Sequence, residues 1–214
     1  MVNKAFQRQQ AAAGLEQLAS LARAQSWRTD GTPSLPPTQA SILRMLPLDA
    51  QGFRARHIAE RLGISAASLS DSLRALESKQ WVERLADPHD GRASIVRLTA
   101  AGRRLARKLN DPAQGIGALL QDLAEPDLGA LLRVTQLLVH QAQQQGLATG
   151  VRSCLGCRYF QPNTSGKQDK PHYCAYIQQA FGDPELRMDC AEQEPADPSH
   201  LAESVLRFRQ PHPH

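Results

Sequence analysis

All four cysteines of this 214-residue chain fall between residues 154 and 190, and the 153 residues before them hold none. Such confinement predicts a chain in two parts, with one inorganic site in the second. The spacing runs Cys154-x2-Cys157, then sixteen residues to Cys174 and fifteen more to Cys190. A C-x-x-C loop lets two sulfurs point at one centre, and two further thiols complete a tetrahedral set. Two disulfides or scattered buried thiols are the alternatives. The N-terminus lacks the continuous apolar run of a signal peptide, and no later run is long enough to cross a bilayer. The expectation is therefore a cytoplasmic protein with no membrane association. Thiols stay reduced in that compartment, which favours metal over disulfides.

Upstream, helical periodicity dominates. Phe6, Leu15, Leu18, Leu21 and Ala22 share a stripe over residues 4–26. "RTDGTPSLPP" breaks it, and a helix restarts at Pro37 with Ile42, Leu43 and Leu46 in register. Ile58 and Leu62 then edge a short helix that ends at Gly63. Ser65 caps a second helix, with Ala66, Leu69, Leu73 and Leu76 inward and Ala67, Asp71, Arg74 and Ser78 opposite. Helix, glycine turn, helix is a helix-turn-helix pattern, for which an ordinary helical hairpin is the alternative. "WVERLA" and "ASIVRLT" then read as strands flanking the turn "DPHDG", with Arg92 directly after its glycine. A helix capped by Thr99 follows. Two strands joined by a basic loop after a helix-turn-helix make a winged helix. Residues 54–108 carry 12 Lys and Arg against 6 Asp and Glu, a cationic excess that suits a polyanionic partner.

The stretch "HIAERLGISAASLSDSLRALESKQWVERLADPHDGRASIVRLTAAG" resembles the MarR family of winged-helix transcription regulators. The wing pattern Asp-x-x-Asp-x-Arg, a strand and Leu-Thr-x-x-Gly is present as Asp87, Asp90, Arg92, Leu98, Thr99 and Gly102. Gly91 departs from it, standing where members often carry a second basic residue. The similarity covers roughly residues 10–145. It implies a homodimer with intertwined terminal helices, bound to double-stranded DNA at a palindromic operator. On that placement Ser65, Ser68, Ser70, Asp71 and Arg74 face the groove. Arg74 would read a guanine edge, and Asp71 would either accept from a cytosine amine or orient Arg74 or a backbone donor. The serines would bind phosphate. Arg92, held by Asp90, would enter the minor groove. Independently of the family, Ile116, Leu119, Leu120, Leu123, Leu128, Leu131, Leu132, Leu137 and Leu138 supply apolar surface for a dimer interface or for an intrachain core.

The cysteine spacing is similar to that of high-potential iron–sulfur proteins. Tyr159, Phe160, Tyr173, Tyr176 and Phe181, five of the chain's ten aromatics, accompany it. Aromatic walls exclude water from a bulky cofactor and tune its potential. The expectation is a 4Fe–4S cluster on Cys154, Cys157, Cys174 and Cys190 that senses redox or iron status. A structural zinc ion is the alternative, and a protein-docking module the third reading. "KPHYC" places His172 at the surface. No phosphate-binding glycine loop, nucleophile elbow or histidine–carboxylate metal motif is present, so no enzyme is expected. The predicted fold is mainly α with a small β wing: a winged helix-turn-helix and dimerisation domain over 1–148, a small cysteine-ligated module over 149–195, and a mobile tail over 196–214 with one short helix around Leu201–Phe208.

Overall fold

A computed structural model describes residues 3–26, 35–88, 90–114, 116–147 and 150–210. Contacts divide the chain into Met1–Ala59 with Ile64–Gln121, and Glu60–Gly63 with Asp122–His214. In the second unit the long helix preceding the cysteines packs on the cysteine region itself.

In the first unit α1 (Lys4–Ser26) leaves Phe6, Leu15, Leu18 and Leu21 about half exposed. Helix α2 (Pro37–Met45) starts on a proline, whose missing N–H is harmless there, and buries Ala40, Ile42, Leu43 and Met45. A two-residue strand β1 (Phe53–Arg54) leads directly into α3 (Ala55–Leu62). Gly63, at φ +62°, ends that helix. Helix α4 (Ala66–Ser78) opens on Ser65, whose Oγ accepts the Ser68 N–H at 3.2 Å, and it buries Leu69, Leu73 and Leu76.

Strands β2 (Val82–Asp87) and β3 (Asp90–Leu98) form an antiparallel hairpin, registered Val82↔Leu98 to Ala86↔Ser94, with a bulge between Ala86 and Asp87. Strand β1 pairs on the far edge of β3, Phe53 opposite Val96, giving the order β1-β3-β2. The β1 pairing is too short to show in the sequence. Helix α5 (Ala100–Leu109) explains the Leu-Thr-x-x-Gly run. Thr99 Oγ1 accepts the Gly102 N–H at 3.0 Å and donates to the Gln80 carbonyl at 2.6 Å. A Cβ on Gly102 would stand 1.8 Å from the Trp81 carbonyl oxygen. A single turn, α6 (Ile116–Leu119), closes the unit.

The second unit is built on α7 (Glu125–Gln144), whose first-turn Glu125 and Asp127 suit the helix dipole. Its apolar residues serve two faces. Leu132 and Leu137 pack on the core, whereas Leu131, Val134 and Leu138 are 42%, 51% and 47% exposed. A 3₁₀ turn at Cys154–Gly156 leads to β4 (Phe160–Gln161), β5 (His172–Cys174) and β6 (Gln179–Phe181), an antiparallel sheet in the order β4-β5-β6. The core gathers Leu155, Cys157, Phe160, Phe181, Leu186, Val205 and Phe208.

Two expectations for this region need correcting. The last helix, α8 (Pro198–Arg209), is longer than the short segment expected and is no mobile appendage: Phe208 is fully buried, and Val205 joins the same core. Nor is His172 at the surface; it is fully buried, its ring centroid 5.3, 5.5 and 5.4 Å from those of Phe160, Phe181 and Phe208. The Asn163 N–H donates to its Nδ1 at 3.3 Å, which leaves the proton on Nε2, 2.8 Å from Asp183 Oδ1. Two hydrogen bonds make the buried imidazole tolerable. Among the described residues no helix is long and apolar enough to cross a membrane.

Candidate nucleic-acid interface and four-cysteine site

The predicted groove residues lie at the cap of α4 and along the helix. Ser65 and Ser68 are exposed and Ser70 is half-buried. The Asp71 and Arg74 side chains are 71% and 70% exposed and pair at 3.1 Å. Arg74 Nη2 also lies 3.5 Å from Ser70 Oγ. The pair sets Asp71 directly beside the Arg74 guanidinium. An exposed pair of this kind contributes no more than about 1 kcal/mol, so it yields readily to a stronger acceptor. Leu69, Leu73 and Leu76 fix the helix from beneath.

At the wing, Asp87 is only 5% exposed and accepts from Arg54 Nε at 2.5 Å. Asp90 Oδ2 lies 3.7 Å from Arg54 Nη1. The Arg92 backbone belongs to β3, but its side chain lies outside the described residues, and so does the expected Asp90–Arg92 pairing. Arg54 therefore tethers both wing aspartates. Sequence reading missed it, since its partners are 33 and 36 positions away and β1 left no strand signal.

Backbone bonding draws the cysteine segments of the second unit together. The Cys154 N–H donates to the Arg187 carbonyl at 3.1 Å, and the Cys190 N–H donates to that of Arg152 at 3.0 Å. Phe160 sits opposite Cys174 in the sheet, while Cys157 bridges to Pro195. All four cysteines are free thiols; Cys157 is buried and the others half-buried. The Arg187 N–H donates to Cys154 Sγ at 3.3 Å, and Cys190 Sγ donates to Glu192 Oε2 at 3.3 Å. Burial pushes the Cys154 thiol up to about 11, opposed by the Arg187 N–H and reinforced by the charges of Cys190, Cys157 and Cys174. Yet no group of three or more His, Cys, Asp or Glu among the described residues is arranged to hold a metal ion. His172 Nε2 faces Asp183 Oδ1.

Gln136 was not singled out in the sequence, where a glutamine among the leucines of this helix carries no signal of burial. It is fully buried in the middle of α7. Its Oε1 accepts the Leu155 N–H at 3.0 Å and its Nε2 donates to the Arg187 carbonyl at 2.9 Å.

Residues 34–93 match the model of the MarR family, which comprises transcription regulators, not enzymes. Over 70 residues the chain is 34% identical to an uncharacterized HTH-type transcriptional regulator, YxaD, of Bacillus subtilis (strain 168), spanning 32% of this chain and 49%, about half, of that relative. The PcaV transcriptional regulator from Streptomyces coelicolor, solved in complex with its natural ligand, is 24% identical, with 66% of this chain and 98% of that one aligned at a TM-score of 0.51. A probable transcriptional regulator from Pseudomonas aeruginosa is likewise 24% identical, over 58% of this chain and 93% of its own, at a TM-score of 0.50. These likenesses establish the winged-helix fold.

Proposed function

We propose that the chain is a DNA-binding transcription regulator, active as a homodimer on a palindromic duplex and carrying a 4Fe–4S cluster on Cys154, Cys157, Cys174 and Cys190 as its sensor. The observation that carries the DNA-binding part is the outward face of α4, where Asp71 and Arg74 stand exposed over a buried leucine row. Arg74 donates to a guanine edge, Ser65, Ser68 and Ser70 take phosphates, and Arg92 at the wing enters the minor groove beside Asp90. Dimerisation through exposed apolar residues such as Leu131, Val134 and Leu138 sets two α4 helices about 34 Å apart, one DNA turn. Residues 1–148 then serve DNA and dimer contacts, and 149–195 the sensor. Fluorescence anisotropy on a palindromic site and on random duplexes tests the placement. Arg92→Ala weakens binding to both, whereas Arg74→Ala also reduces the preference between them. Unchanged affinity in both variants sinks it.

The cluster reading rests on the donor set. Four free thiols sit on segments that backbone hydrogen bonds tie together, and an N–H already points at one sulfur. Four thiolates at this C-x-x-C spacing are the ligand set that a 4Fe–4S cluster takes. When bound, the cluster supplies a one-electron redox centre whose gain or loss marks oxidant or iron status. Cys157 and Leu155 hold the inner side of the site dry, and the Arg187 N–H stabilises the Cys154 thiolate. Iron and sulfide analysis of protein purified without air is the test: about four of each per chain supports it, and stoichiometric zinc without colour removes it.

A further inference from the structure

We infer that Ala67 is a specificity-determining residue, its exposed methyl group packing on the C5-methyl of a thymine in each half-site. The role rests on the placement of α4 in the major groove proposed above. At 100° per residue, Ala67, Asp71, Arg74 and Ser78 fall within an arc of about 60° opposite the buried Leu69, Leu73 and Leu76. All four are exposed. Ala67 thus begins the outward stripe, in the first turn, the end of a recognition helix that reaches base edges. The hydroxyls around it are engaged with backbone. Ser65 Oγ accepts the Ser68 N–H at 3.2 Å, and Ser72 Oγ donates to the Ser68 carbonyl at 2.9 Å. Ala66, which its spacing puts inward, is exposed as well. It lies about 100° round the helix from Ala67 and off the stripe.

A methyl group neither donates nor accepts a hydrogen bond, so it leaves purine N7 and the cytosine amine unsatisfied. Thymine alone presents an apolar group in the major groove. Packing the two methyl groups together removes apolar surface from water on both sides. Helix propensity favours alanine equally at any exposed position of α4, and what singles out Ala67 is its place in line with Asp71 and Arg74. Arg74 follows two turns later, about 10 Å along the axis, or about three base-pair steps of 3.4 Å. Each half-site is therefore expected to hold a thymine about two to four base pairs from the guanine that Arg74 reads.

The test uses the full chain and the duplex it selects from a random pool. Deoxyuridine replaces each thymine of that duplex in turn, which removes the C5-methyl and keeps the base pair. At one thymine per half-site the change is expected to raise Kd about three- to fivefold. In Ala67→Gly, which lacks the partner methyl, the same change is expected to cost less than about 1.5-fold. Ala66→Gly, which weakens the helix to a similar degree, is expected to keep the wild-type ratio. Three results overturn the role of Ala67 while leaving α4 in the groove: no sensitive thymine near the guanine whose identity stops mattering in Arg74→Ala, a ratio that persists in Ala67→Gly, or one lost in Ala66→Gly. A chain that selects no sequence, or whose Arg74→Ala variant discriminates as wild type does, overturns the groove placement and this role with it. Should Ala67→Gly fail to fold, Ala67→Asn takes its place, since an amide reads adenine. The sites it selects must lose the thymine, and a retained thymine overturns the role.

Discussion

Gly102 has no room for a methyl group, because the Trp81 carbonyl stands 1.8 Å from where a Cβ would be built. Backbone cannot retreat as a flexible side chain does. Gly102→Ala must therefore push the start of α5 off the hairpin and weaken the Thr99 cap. The expected loss is about 2–3 kcal/mol in urea unfolding. Gly14, with nothing within 4 Å on a helix, is the control: Gly14→Ala is expected to stabilise α1 by up to about 1 kcal/mol. Arg54 makes a different residue-scale claim. Its guanidinium holds the buried Asp87 carboxylate, so Arg54→Ala leaves that charge short of a strong donor at the root of the wing. The expected cost is about 2 kcal/mol of stability. On the proposed function, duplex binding weakens without change in base preference, because Asp71 and Arg74 of α4 are untouched. A variant as stable as wild type would remove Arg54 as the anchor of the wing.

Among the elements, α8 depends on its cap. Asp197 Oδ1 accepts the N–H groups of Ser199 and His200, both at 3.0 Å, and the Ser199 hydroxyl at 2.5 Å. The Ser199 hydroxyl, followed by the His200 N–H, holds the Asp197 carboxyl below the usual aspartate range. A lowered folded pKa means that the stabilisation is present above the unfolded value, near 4, and is lost as pH falls through the folded one. Helix α8 delivers Val205 and Phe208 to the aromatic core around His172, so cap failure reaches beyond the helix end. Asp197→Ala is expected to lower the unfolding temperature at neutral pH. Its curve should then converge with wild type as pH drops from about 7 towards 3. A constant offset across that range would mean that the charge of Asp197 plays no part.

For the molecule as a whole, legibility followed the range of the interaction. Helix α4 was readable because Leu69, Leu73 and Leu76 recur at helical spacing beside a serine cap, all within one short segment. The Arg54–Asp87 tether spans 33 positions and Gln136–Arg187 spans 51, and no local pattern encodes either. His172 read as surface because its neighbours in sequence are polar, whereas its neighbours in space are three phenylalanines. Helix α7 failed in a more instructive way. Its leucines satisfy an intrachain core and an exposed face at once, and periodicity cannot divide one from the other. The structure divides them, with Leu132 and Leu137 inward and Leu131, Val134 and Leu138 outward. That division yields the last prediction. Leu131→Asp combined with Leu138→Asp places charge only on the outward face, so the fold and its thiols should survive while the dimer dissociates at micromolar concentration. A lone subunit reaches one half-site, and losing the second, effectively intramolecular contact is expected to weaken palindrome binding by about 100-fold or more. Binding to a single half-site should stay near wild type. Sedimentation and anisotropy on the two DNAs read the two halves of this claim separately. A double variant that remains a dimer would move the interface off α7, leaving the half-exposed stripe of α1 as the surface to test next.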